Sequence, residues 1–88
     1  MDNHEAKDVL HKHMSRWKLL SYEELRGRID HKKIEVLEVK GQSGKNYCLE
    51  MEVRWDSQPG EAIRVFASID DGGAAALFPV SADFIIYP

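Results

Sequence analysis

The alternation of hydrophobic and polar residues changes once along the chain, from a helical period to a strand period. Over residues 4–20 the apolar positions recur every three or four residues, which predicts an amphipathic helix with one buried stripe. The stripe consists of Ala6, Val9, Leu10, Met14, Trp17 and Leu20. Polar residues between these positions, such as Lys12 and Arg16, are expected to face solvent.

A second, shorter helix is predicted immediately after the first. Ser21 is followed three residues later by Glu24, which matches a capping box, so this helix should begin at Tyr22. The Arg26-Gly27 pair is expected to end it. Its contacts with the core would be Leu25 and Ile29.

Beyond His31 the period becomes two, which is typical of half-buried strands. Residues 47–55 and residues 63–69 each place an apolar side chain at every second position. The connector at 56–60 is rich in turn-forming residues and predicts a hairpin between them. The sequence Gly41-Gln42-Ser43-Gly44 lacks the spacing of a phosphate-binding loop and precedes a strand, so it is interpreted as another hairpin turn.

Three further segments have weaker patterns. Residues 34–39 form a strand whose apolar positions slip by one, which suggests a bulge or partial burial of both faces. Asp71-Gly72-Gly73 predicts a tight turn before a short strand at about 75–78, which Pro79 interrupts. Phe84-Ile85-Ile86-Tyr87 is a last apolar element whose type the pattern does not decide.

These elements predict one α+β domain over residues 1–88, in which the N-terminal helices pack on one face of a four- or five-stranded, mainly antiparallel sheet. Residues 1–4 are expected to be flexible. The helix stripe would cover one face of the sheet and leave the other face bare. The bare face would carry Cys48, Glu50, Glu52, Arg54, Arg64, Phe66, Ser68 and Asp70.

Composition narrows the functional classes. The 88 residues carry 12 Lys and Arg against 15 Asp and Glu, and residues 34–88 hold four bases against nine acids, so we expect no nucleic-acid binding. The longest apolar run, at 74–80, is too short to span a bilayer, and the N-terminus lacks a secretory pattern. With one cysteine, Cys48, no internal disulfide forms. We therefore expect a cytoplasmic protein without membrane association, bound metal or cofactor.

Histidine and cysteine side chains are the first candidates for chemistry. His4, His11, His13 and His31 include no pair at helical ligand spacing, so surface histidines are favoured over a metal site. Cys48 has no sequence signature of a nucleophile and is interpreted as a small residue on the sheet.

Carboxylates offer a second candidate site. Asp70 and Asp71 lie at a glycine turn, where oxygens could converge on a cation, although the same residues are typical of a hairpin turn. A small-ligand or cation site, in an enzyme or a binding domain, would use Asp70, Asp71 and Asp83 beside Trp55 and Arg64. Hydrogen bonds that the Asp70 and Asp71 carboxylates accept from nearby backbone N–H groups would instead favour a turn.

The favoured site is Phe66, an aromatic residue among charges on the bare face. Arg54 and Arg64 could donate to an anionic ligand, but cross-strand pairing with Glu50 and Glu52 is the simpler expectation. Aromatic residues and arginine are enriched at the centres of interfaces. The sequence therefore favours a non-enzymatic interaction or regulatory domain, such as an adaptor or immunity-type protein. Its contact residues would be Phe66, Arg54, Arg64 and Glu52, and it would bind a protein partner or a second copy.

Several short motifs of this chain resemble a family of small uncharacterised bacterial proteins. They are Ser21-Tyr22-Glu23-Glu24-Leu25, Gly41-Gln42-Ser43-Gly44, Val53-Arg54-Trp55-Asp56, Pro59-Gly60, Ile63-Arg64-Val65, Ser68-Ile69-Asp70-Asp71-Gly72-Gly73, Pro79 and Asp83-Phe84-Ile85. The resemblance covers about residues 15–88 and implies a bacterial cytoplasmic domain without an assigned reaction. Members of that family are expected to carry a tryptophan after the double glycine, where this chain has Ala74-Ala75-Ala76.

Overall fold

The structure is a computed structural model that describes residues 3–31, 34–72 and 80–88. Helices α1 (Asn3–Trp17) and α2 (Tyr22–Asp30) precede four strands, β1 (Glu35–Lys40), β2 (Asn46–Trp55), β3 (Ile63–Asp70) and β4 (Val80–Ile86). The strands form one antiparallel sheet in the order β1-β2-β3-β4. The predicted α+β fold, with helices packed on an antiparallel sheet, is confirmed.

Helix α1 packs its apolar stripe on the sheet as predicted. Ala6, Leu10, Met14 and Trp17 are buried, and they join the alternate residues of β2 and β3 in one hydrophobic core. The helix ends three residues before the expected Leu20, because residues 18–20 continue as a tighter turn in which Leu20 N–H donates to the Trp17 carbonyl. Asn3 and His4, which the sequence pattern assigned to a flexible terminus, are the first residues of α1.

Helix α2 begins where the capping box predicts it. The Ser21 hydroxyl accepts a hydrogen bond of 3.1 Å from the Glu24 N–H. The predicted end at Gly27 is wrong, since the helix runs to Asp30. Glycine lowers helix stability by about 1 kcal/mol relative to alanine, but Ile29 packs against the core and extends the favourable contacts by another turn.

The two faces of the sheet differ in cover. We call the face that carries Tyr47 and Leu49 the helix face, because both residues are fully buried in the core shared with α1 and α2. The opposite face, which carries Phe66 and Arg64, is the open face. Its residues on β2 and β3 are exposed or half-buried, and no helix among the described residues packs on it.

The weaker segments turn out in three different ways. Strand β1 pairs with β2 in an unbroken register, so the predicted bulge is wrong. The alternative, partial burial of both faces, holds for one face only: Glu35 and Val39 on the helix face are half-buried, whereas the residues on the opposite face are exposed. The element of undecided type belongs to β4, which pairs with β3 along Val80–Ile86. The expected strand at 75–78 and the interruption at Pro79 lie outside the described residues.

Membrane insertion through a helix is not supported by the described residues. Neither α1 nor α2 is long and apolar enough to cross a bilayer.

Candidate functional site on the open face

Pairing register decides which side chains meet on the open face. Across β2 and β3, Glu52 lies opposite Phe66, and Arg54 lies opposite Arg64. Across β3 and β4, Phe66 lies opposite Asp83. Residues opposite each other in antiparallel strands point to the same face, with Cβ atoms about 5 Å apart. The four residues predicted as a contact site, together with Asp83, therefore form one cluster, which we call the Phe66 patch.

The Arg54 guanidinium lies beside the Phe66 ring. The Arg54 guanidinium carbon lies 5.8 Å from the ring centroid, within the range of a cation–π contact. Phe66 is half-buried while Arg54 is exposed. The aromatic ring thus lies beside a cation in an otherwise charged surface.

Arg64 is held by two carboxylates, which differ from the pair expected from the sequence. Its Nη2 lies 2.8 Å from Asp56 Oδ1, its Nε donates to the same oxygen at 2.9 Å, and its Nη1 donates to Asp83. These hydrogen bonds and charges, Asp56 first, raise the pKa of Arg64. The predicted pairing of Arg64 with Glu50 or Glu52 is wrong, because the register places those carboxylates opposite Ser68 and Phe66.

This arrangement also explains how two arginines tolerate facing each other. Arg54 and Arg64 are opposite partners in the β2–β3 pair, where like charges destabilise a sheet. The carboxylates of Asp56 and Asp83 neutralise Arg64, and the guanidinium of Arg54 makes a cation–π contact with the Phe66 ring. The guanidinium of Arg54 forms no ion pair with the described residues. It remains the cation of the patch that can receive a carboxylate from outside.

The carboxylates of the alternative ligand site are not brought together. Asp70 ends β3 and Asp83 lies opposite Phe66, four residues earlier, so the two are roughly 14 Å apart at strand spacing. Trp55 lies opposite Ile63, on the helix face. Asp70 Oδ1 accepts a hydrogen bond of 2.8 Å from the Gly72 N–H, which is the turn contact named above as the alternative. Gly72 has a φ of +82°, as such a turn requires.

Asp71 takes part in a different contact. Its carboxylate lies 3.1 Å from Lys45 Nζ, so it ties the end of β3 to the β1–β2 hairpin. Asp70 therefore stabilises the turn after β3, and Asp71 joins that turn to the β1–β2 hairpin. The described residues contain no group of three or more His, Cys, Asp or Glu side chains that could hold a metal ion.

Cys48 lies in surroundings opposite to those of a nucleophile. Burial raises the pKa of its thiol, and the negative charges of Asp70, Glu50 and Glu38 raise it further. A nucleophilic cysteine needs a lowered pKa from a cation, a base or a helix N-terminus. The thiol of Cys48 is therefore protonated and weakly reactive near neutral pH.

The histidines occupy ordinary helix positions. His4, His11 and His31 are exposed, and His13 is half-buried with its Nδ1 3.2 Å from the Val9 carbonyl oxygen. His31 Nδ1 lies 2.8 Å from the carbonyl oxygen of Gly27 at the end of α2. These contacts support the interpretation of surface and capping roles.

A groove beside β1 was missed by the sequence analysis. It has a volume of about 850 Å³ and lies between one flank of α1 and the end of β1. Val9 and Val39 form apolar parts of its lining. Lys12, Arg16 and Lys40 supply positive charge to it, and Glu5 and Asp8 supply negative charge. The helical period places Val9, Lys12 and Arg16 on one flank of α1. Nothing in the sequence indicates that β1 leaves this flank uncovered.

Comparison with known proteins yields no match to a protein-family model, to a curated protein or to a solved structure. The predicted resemblance to a bacterial family therefore stays a prediction. Any functional conclusion has to come from the residues of this chain.

Proposed function

We propose that this protein is a non-enzymatic interaction domain that binds a protein partner through the Phe66 patch. The observation that carries the proposal is the contact between Phe66 and Arg54, an aromatic ring and a guanidinium on a face on which no described helix packs. Aromatic and arginine side chains supply much of the binding energy at interface centres.

Charge defines the kind of surface that would fit the patch. Asp56 and Asp83 neutralise Arg64, whereas Arg54 has its ring contact but no carboxylate among the described residues. A complementary partner presents an apolar side chain to the Phe66 ring and an acidic side chain to Arg54. Glu52, which lies opposite Phe66, adds a requirement for a hydrogen-bond donor at the rim.

The surroundings of the reactive groups also favour binding over catalysis. The thiol of Cys48 has a raised pKa, and Asp70 and Asp71 are engaged in the turn and in the pair with Lys45. The expected role as a cytoplasmic bacterial regulator belongs to this proposal. The proposed partner is a protein, and nucleic acid is not expected as a ligand.

Affinity isolation from the cells that make the protein tests the proposal. The tagged full chain is compared with Phe66→Asp and Arg54→Glu, after circular dichroism has shown that each variant is folded. The controls are Leu19→Asp and Arg26→Glu, which introduce the same acidic residues at exposed positions outside the patch. We expect a specific protein to be recovered with the parent and both controls and to be lost with both patch variants. Equal recovery from all five chains, or recovery from none, overturns the proposal.

A further inference from the structure

Strand β1 presents an apolar segment at the edge of the sheet. Ile34, Val36 and Leu37 are 54%, 60% and 36% exposed, although they lie within four consecutive positions. Among the described strands β1 pairs with β2 alone, so its outer edge presents backbone N–H and C=O groups to solvent. Exposed edge strands with apolar side chains and no proline pair readily with further strands.

We propose that β1 pairs antiparallel with β1 of a second copy of this chain. The two four-stranded sheets then form one eight-stranded sheet, and the dimer has a two-fold axis through the β1 pair. Such an interface is isologous, since the same strand lies on both sides of it. It removes from solvent the edge that carries the three exposed apolar residues.

Side chains of β1 alternate between the two faces of the sheet, and this limits the possible registers of the β1–β1 pair. Opposite residues share a face, so helix-face residues have to meet helix-face residues. A register centred on Leu37 satisfies this rule and covers the whole apolar segment. The opposite pairs are then Leu37 with Leu37, Val36 with Glu38 and Ile34 with Lys40, and the long polar side chains can cover the apolar residues with their methylene stems.

Neighbouring registers are less favourable. A register centred on Glu38 places two carboxylates directly opposite each other, which destabilises a sheet. A register centred on Val36 leaves Val39 and Lys40 without partners within residues 34–40, whereas the register centred on Leu37 pairs every residue of that segment. A register centred on Val39 leaves Ile34 without a partner. The charges and the strand length therefore select the register centred on Leu37.

Charge complementarity at the neighbouring groove favours a second copy as the occupant. In the selected register Glu35 of the second copy lies opposite Val39, on the helix face. The groove there presents Lys12 and Arg16 together with the carboxylates of Glu5 and Asp8, of which Glu5 already accepts hydrogen bonds from Tyr47 and Ser43. Neither of these two cations forms an ion pair with the described residues. Glu35 would then lie between Arg28 of its own chain, with which it pairs, and the two cations of the other copy.

Sedimentation equilibrium of the full chain tests the assembly. We expect a mass of twice 10.1 kDa that falls toward the monomer on dilution. Leu37→Lys places two ammonium groups on the two-fold axis and should weaken dimerisation roughly tenfold or more, since tenfold corresponds to about 1.4 kcal/mol. Leu19→Lys, a change at a leucine that is 87% exposed and outside β1, should leave the dimer intact. A monomeric parent at its highest soluble concentration overturns the proposal, and this is also the outcome if β1 binds a strand of another protein.

Disulfide trapping tests the register, in a Cys48→Ser background that removes the native thiol. Opposite Cα atoms lie about 4.5–5.5 Å apart, within the reach of a disulfide. Leu37→Cys should therefore cross-link to itself, and Val36→Cys should cross-link to Glu38→Cys when the two chains are mixed. Val36→Cys alone should not cross-link, because the Cα atoms of the two Val36 residues are offset by two positions and lie roughly 8 Å apart. Efficient trapping of Val36→Cys with itself, or failure of Leu37→Cys, overturns the register. Strand β2 separates β1 from β3, which carries Phe66. The Leu37→Lys variant should therefore still bind the partner proposed for the Phe66 patch. Loss of the dimer would leave that proposal standing, and loss of the partner would leave the dimer standing.

Discussion

The Tyr47 hydroxyl donates a hydrogen bond of 2.6 Å to the Glu5 carboxylate, across 42 positions of sequence. The same carboxylate accepts hydrogen bonds from the Ser43 N–H at 2.9 Å and the Ser43 hydroxyl at 2.7 Å. These contacts attach the first turns of α1 to the β1–β2 hairpin. The helix layer is therefore anchored at a specific position on the sheet, and not through apolar packing alone.

Acid should weaken this anchor. The hydrogen bond from Tyr47, followed by those from Ser43, lowers the pKa of Glu5 below its ordinary value. A carboxyl whose pKa is lower in the folded state stabilises that state above its unfolded pKa, and this contribution is lost as pH falls through the folded pKa. We expect Glu5→Gln to reduce the dependence of unfolding free energy on pH in the acidic range. Urea unfolding at a series of pH values measures this; the same acid slope in Glu5→Gln and the parent would contradict it.

Gly41 should be coupled to the same anchor. A Cβ atom at Gly41 would lie 2.7 Å from the Glu5 carboxyl carbon, so Gly41→Ala has to displace the carboxylate. Overpacking costs about 1–3 kcal/mol, and we expect a value at the low end because the side chain of Glu5 can move. In a Glu5→Ala background the alanine meets no carboxylate, so the cost should largely disappear. Unfolding measurements on both single variants and the double variant form the cycle, and strictly additive effects would contradict the coupling.

Cys48 should react slowly in the folded protein. Because the thiolate is the reacting form, the raised pKa of Cys48 lowers the alkylation rate at mildly alkaline pH. We expect slower reaction with iodoacetamide than in the urea-unfolded chain, with a higher midpoint in the rate–pH profile. Asp70→Asn removes the negative charge that raises this pKa most and should move that midpoint down. Equal midpoints in the folded and unfolded chains would show that the thiol is not influenced by its surroundings.

Divalent cations should not stabilise the fold through the Asp-Asp-Gly turn. Asp70 accepts from the Gly72 N–H and Asp71 pairs with Lys45, so neither carboxylate is directed into a shared site. A ligand present at 100 times its dissociation constant would add about 2.7 kcal/mol of stability. We expect the melting temperature to stay unchanged with calcium or magnesium. A rise that the Asp70→Asn, Asp71→Asn double variant abolishes would instead support the ligand-binding alternative.

Periodicity was sufficient to predict the layers of this fold. The stripe of α1 and the alternation of β2 and β3 each follow from burial of one face, so the sequence pattern carries them directly. The start of α2 was equally predictable, because Ser21 and Glu24 interact locally. The end of α2 could not be predicted in the same way, because the packing of Ile29 against the core outweighs the low helix propensity of Gly27.

Contacts between distant segments were harder to predict. The Phe66 patch was found because alternation assigns its residues to one face, but the partners of Arg64 depend on the register of three strands. The anchor between Glu5 and Tyr47 depends on where α1 crosses the sheet, which periodicity does not determine. The apolar positions on both faces of β1 were interpreted as a bulge or as partial burial of both faces, because the pattern alone does not show that β1 lies at the edge of the sheet.

Photo-crosslinking from the open face is the most direct test of the claim that this face binds a protein partner. A photoreactive phenylalanine analogue is placed at Ser68, beside Phe66 on β3, and at Arg26 on α2 as the control. Irradiation in the cells that make the protein should yield a covalent adduct to the same partner that affinity isolation recovers, from Ser68 but not from Arg26. A partner adduct that forms from Arg26 and not from Ser68 would contradict the account, because it would place the binding surface on the helices.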